Sequence, residues 1–150
     1  MHDTSPRGEI SRGDGGAAVV AAGRVPGRGA VTLLRVATAL ACLETLVQGL
    51  LAGMLLNGDV SSIDPHGVNA YVFELLVFLQ VVAAVLVWRG NRRVTWPLKA
   101  AVVILAATFT QTALGLASSL AAHVTLGVAL CAMETVFVVR VLTLRGPPAA

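Results

Sequence analysis

The chain has 150 residues, 56% of them apolar and 13% charged, with a mean hydropathy of +0.80. A water-soluble domain carries roughly 45–50% apolar and about 25% charged residues, so this chain lacks the polar surface to cover a globule in water and belongs in a lipid bilayer. Its two cysteines, Cys42 and Cys131, both sit in apolar runs, which excludes a disulfide scaffold and a cysteine zinc site.

Residues 1–30 are rich in Gly, Pro, Ser, Asp and Arg, as in Ser5-Pro6-Arg7-Gly8 and Arg24-Val25-Pro26-Gly27-Arg28-Gly29. Too little apolar surface is available there to offset chain entropy, so the stretch reads as a disordered cytoplasmic tail. It does not read as a cleaved signal peptide, because the apolar run behind it is too long and lacks a small-residue cleavage site.

Four apolar segments follow, at about 31–56, 67–88, 96–117 and 119–144. Each exceeds the roughly 20 residues that cross a hydrocarbon core of about 30 Å as a helix. The spacers between them are short, which makes successive helices antiparallel neighbours. The expected fold is all-α: an integral membrane up-down four-helix bundle over 31–145. A membrane barrel would need segments of about ten residues in strict alternation, and none occurs.

The net charge of +3 gains its meaning from where the basic residues sit. Arg7, Arg12, Arg24, Arg28 and Arg35 precede or enter the first span; Arg89, Arg92, Arg93 and Lys99 flank the second connection; Arg140 and Arg145 close the last span. The other two connections hold no Lys or Arg and carry Asp59 and Asp64. The positive-inside rule then places both termini and the 89–99 loop on the cytoplasmic side, as in a multi-pass protein of a bacterial cell membrane. Orientation accounts for the basic charge, so nucleic-acid binding has no support, and membrane lipid is the expected surrounding. Trp88 and Trp96 bracket the inner loop as interfacial anchors.

Asp64-Pro65 reads as an N-cap followed by proline at the first helical position of the second span. Ser118 and Ser119 read the same way for the fourth. His66 and His123 then lie at similar depth near the outer face.

Polar residues inside a bilayer point into the bundle or a cavity by default. At 100° per residue, His66, Asn69, Phe73 and Gln80 form one stripe, and His123, Gly127 and Glu134 form another, because eleven residues return a helix to about 20°. In an up-down bundle the second and fourth helices are parallel and diagonal, which lets the two histidines face each other at one height. Two imidazoles opposed in an apolar core suit axial ligation of a haem iron, haem b being the expected cofactor. The plainer alternative is that each is an interfacial residue bonded to a loop or to water.

Thr45-Leu46-Val47-Gln48-Gly49-Leu50-Leu51 on the first helix matches Thr108-Phe109-Thr110-Gln111-Thr112-Ala113-Leu114 on the third, and each Gln precedes a histidine. Gln48 and Gln111 are therefore candidates to bond each other, a histidine or a haem edge, or else to act as interhelical glue. Glu44, Glu74 and Glu134 read either as hydrogen-bonding groups or as a proton path. Gly49 and Gly53 mark either a close helix contact or a dimer seam.

The stretch Gln111-Thr112-Ala113-Leu114-Gly115, the run Leu120-Ala121-Ala122-His123-Val124-Thr125-Leu126-Gly127, and Asp64-Pro65-His66-Gly67 at the second helix together resemble one half of haem A synthase. Small four-span membrane proteins of actinobacterial type share the same look. The haem A synthase family has eight spans in two four-helix halves, each with a histidine pair that coordinates haem. The resemblance, over about 33–144, implies haem ligation by His66 and His123, with Gln48 and Gln111 beside them, and allows a homodimer or larger membrane complex. The family's catalytic glutamate position is Ser62 here and the outer-loop cysteine pair is missing, so the resemblance implies haem binding rather than haem hydroxylation. Electron transfer or haem handling is the leading expectation. A non-catalytic accessory or scaffold subunit and a small proton-coupled transporter are the alternatives.

Overall fold

The computed structural model describes residues 27–144, and the tail expected over 1–26 lies outside the described residues. Four helices follow one another: α1 (Arg28–Leu56), α2 (Ile63–Gly90), α3 (Trp96–Leu116) and α4 (Leu120–Leu142), with a 3₁₀ turn at Val60–Ser62. No strand occurs among the described residues. The helix α1 packs on α2 and α4, and α3 packs on the same two, while the diagonal pairs make no close backbone approach. This is an up-down bundle, and all four helices are long and apolar enough to span a membrane.

Large apolar side chains face outward: Leu50 is 65% exposed, Val128 68% and Leu116 84%. Water would not tolerate so continuous an apolar exterior, whereas lipid tails match it. Inside, small residues let the helices approach, with Ala37 and Ala41 on α1, Ala83 and Ala84 on α2 and Ala101 on α3 all buried. Buried Thr38 and Thr108 satisfy their hydroxyls on their own helices, donating to the carbonyls of Arg35 and Ile104.

Four expectations change. Residues 28–30, expected in the tail, form the first turn of α1. The second helix begins at Ile63 rather than 67, and Asp64 does not cap it. The reason is Asp59, whose carboxylate accepts from the Ser61 amide and from the hydroxyls of Ser61 and Ser62. That closes a 3₁₀ turn leading straight into α2, so the chain is already helical when it reaches Pro65. Proline is tolerated there because amides in a first turn have no intrahelical partner. Ser119 does stand at the N-cap of α4, but its side chain makes no cap bond; Ser118 reverses the chain with a left-handed φ of 54°. Finally, a Cβ on Gly49 or Gly53 would meet nothing within 4 Å. These glycines face outward and serve no close contact within the bundle.

One end of the bundle collects cations. Arg35 donates through Nη2 to the carbonyls of Leu144 (2.6 Å) and Leu142 (3.3 Å), tying α1 to the end of α4, where carbonyls lack helical partners. Arg92 stacks over Trp88 at 4.0 Å, and Arg140 over Trp96 at 5.0 Å. The opposite end holds the histidines.

Candidate functional site

His66, in the first turns of α2, and His123, in the first turn of α4, meet across the bundle. Their ring centroids are 6.1 Å apart and the ring planes cross at 70°. Parallel, diagonal helices explain the meeting, since both histidines lie one turn from the same end.

Each ring is held differently. The Nδ1 of His123 is 2.9 Å from the carbonyl oxygen of Gln111. A carbonyl only accepts, so Nδ1 is the donor; in the neutral ring that leaves the lone pair on Nε2, the usual way a ligating imidazole is oriented. A Cβ on Gly115 would lie 3.0 Å from His123 Cε1 and 3.2 Å from Nδ1; the bare backbone of α3 is what gives the ring its seat. On the other side, Gln48 of α1 donates to the backbone carbonyl of His66 at 3.2 Å and accepts from Asn69 at 3.0 Å. The Gln48 side chain thus fixes the start of α2, while its backbone stands against the His66 imidazole. His66 Nδ1 is buried and has no hydrogen-bond partner among the described residues, and the same is true of Gln111 Oε1. The Gln111 side chain rests on α4 at Gly127, where a Cβ would lie 3.0 Å from its Nε2.

The glutamates do not form a chain of contacts. Glu134 is fully buried and accepts from Gln80 Nε2 through both oxygens, at 3.0 and 2.9 Å. Glu74 accepts from the Thr112 hydroxyl at 2.6 Å. Glu44 is half-buried on α1. Sequence reasoning placed Gln80 and Glu134 on the two inward stripes but did not pair them. It also gave no role to Asn69, Thr112 or Gly115. Stripe spacing could have found the Gln80–Glu134 pair; the seat at Gly115 depends on a turn geometry that the spacing does not carry.

The donor set can be tested against a metal. Among the described residues no group of three or more His, Cys, Asp or Glu could hold an ion, which leaves two imidazoles, too few for a four-ligand zinc site. An iron porphyrin brings four nitrogens of its own and needs only two axial donors. His66 and His123 are such a donor pair, with ring centroids 6.1 Å apart and a buried His66 Nδ1 that has no partner among the described residues, and together they would hold a group of that kind.

Fold and site together define a membrane-spanning four-helix bundle with an imidazole pair at one end of its core. Comparison with protein-family models, with curated proteins and with solved structures gives no match to this chain.

Proposed function

We propose that this chain is a b-type haem protein of the bacterial cell membrane, with His66 and His123 as axial ligands, both termini cytoplasmic, and a role in electron transfer or haem handling. The observation that carries the reading is the imidazole pair itself: centroids 6.1 Å apart, one ring pinned through Nδ1 to the Gln111 carbonyl. The resemblance to one half of haem A synthase points the same way. Haem, when bound, supplies a one-electron iron centre whose potential follows its ligands and their surroundings. The chain's own residues orient the donors: Gln111 and Gly115 set the His123 ring, and Gln48 with Asn69 sets the start of α2.

The test is the absorbance spectrum of detergent-purified protein after haem-replete expression. A Soret band that is lost or shifted in His66→Ala and in His123→Ala is the expected result. A colourless wild-type protein, or one whose band ignores both substitutions, removes the reading.

A further inference from the structure

A groove of about 500 Å³ runs between α3 and α4 at the cationic end, far from the histidines, lined among others by Trp96, Lys99, Val103, Met133, Phe137 and Arg140. Its volume falls within the range of about 300–1,000 Å³ typical of small-molecule sites. We propose that it binds one anionic phospholipid, with the headgroup phosphate on Lys99 and Arg140 and an acyl chain along the apolar wall. The proposal does not depend on haem.

The polarity of the groove is graded. Because α3 and α4 are antiparallel, the first residues of α3 and the last of α4 share one level, so Trp96, Lys99 and Arg140 gather at the membrane interface. Deeper residues on both helices, Val103 and Met133 among them, are apolar. From Trp96 to Ile104 the wall rises about 12 Å at 1.5 Å per residue. Val103 and Val136, 57% and 60% exposed, open the groove sideways to the bilayer. A free anion has no use for that apolar length; a lipid matches both parts.

Both cations lack an acidic partner among the described residues. Arg140 is held 5.0 Å over the Trp96 ring, and Trp96 in turn packs edge-on against Phe137 at 6.0 Å. No acidic side chain among the described residues pairs with Lys99 or Arg140. The nearest along α4, Glu134, is committed to Gln80. Basic pockets between spanning helices are where anionic headgroups bind, and interfacial tryptophan is the usual flank.

The experiment is native mass spectrometry of the full chain in detergent, titrated with phosphatidylglycerol, with phosphatidylcholine of the same acyl chains, and with inorganic phosphate. One phosphatidylglycerol per chain should be retained in preference to phosphatidylcholine, and phosphate should not displace it. Each basic side chain contributes about fivefold towards an anionic lipid surface, so Lys99→Gln should weaken retention about fivefold and the Lys99→Gln/Arg140→Gln pair about thirtyfold. Arg92→Gln/Arg93→Gln removes equal charge from the neighbouring loop and should cost no more than about threefold, since charge acting from outside the groove is screened. Ala100→Phe fills the groove with the charge unchanged and should also lower retention. Should the Arg140 variant unfold, the Lys99 and Ala100 variants carry the test. Equal retention of both lipids, equal losses in the two double variants, or displacement by phosphate would overturn the proposal.

Discussion

The two ends of this bundle handle polar groups in opposite ways. At the histidine end, side chains turn inward and find partners on other helices: Gln48 reaches α2 and His123 reaches the α3 backbone. At the cationic end, Arg92 and Arg140 lie over tryptophan rings and Arg35 closes on the carbonyls of α4. The first pattern depends on the relative placement of four helices. The second depends on the interface, where water and headgroups take up any donor the protein leaves unused. Substitutions at the histidine end should therefore act through geometry, and those at the cationic end through charge.

The largest effect that separates the ends is spectral. On the proposed haem reading, replacing His66 or His123 by alanine should abolish or displace the Soret band, while Arg92→Gln leaves it unchanged; a band sensitive to Arg92 would place any bound haem elsewhere. Next in size is the buried pair midway between the ends. Gln80→Leu strands the Glu134 carboxyl in the core and should cost about 1–3 kcal/mol, read as a lower unfolding midpoint in detergent. The Gln80→Leu/Glu134→Leu double variant should recover most of that loss, since replacing both partners leaves no polar atom unpaired. No recovery would show that the pair does more than satisfy itself.

Glycines give a finer contrast. Gly115→Ala drives a methyl against the His123 ring and should destabilise the protein by about 1 kcal/mol, the scale of a small overpacking, while shifting the Soret maximum. Gly53→Ala meets open space and should instead stabilise α1 by up to about 1 kcal/mol through helix propensity. If both shift the spectrum alike, the close seat at Gly115 is not what orients the ring.

The smallest effect lies in the α1–α2 connection. Hydrogen bonds from the side chains of Ser61 and Ser62 hold the Asp59 carboxyl below its usual range. A carboxyl whose folded value is depressed contributes stability that is complete above the unfolded value and is lost as pH falls through the folded one. The thermal midpoint of the wild-type chain relative to Asp59→Asn should thus fall on acidification through and below the ordinary carboxylate range. A difference that stays flat with pH would mean the three bonds are not charge-assisted.

Much of this was legible in the chain itself. Hydropathy located the four spans, and the 100° periodicity put His66 and His123 on inward lines. At the start of α2, Asp64-Pro65 carries the stronger local cap signal, whereas Asp59, five residues before Asp64, closes the turn through two serines. Gln48 and Gln111 are a matched pair in the sequence, and each sets its backbone against a histidine, His66 and His123, yet only Gln48 also bonds a helix start through its side chain. Such a division depends on how far each helix is rotated, and single-helix periodicity does not fix that.

The sequence by itself determined that the chain is a four-span bundle with its cations grouped, because partitioning into lipid depends on composition and length, which are local sums. Only the tertiary structure decided which polar atoms meet: that the imidazoles stand 6.1 Å apart, that Gln80 closes on Glu134, and that Lys99 and Arg140 share one groove. Each of these joins residues far apart in the chain, and hydrogen bonds and ring contacts depend on distances of a few tenths of an ångström that packing alone sets.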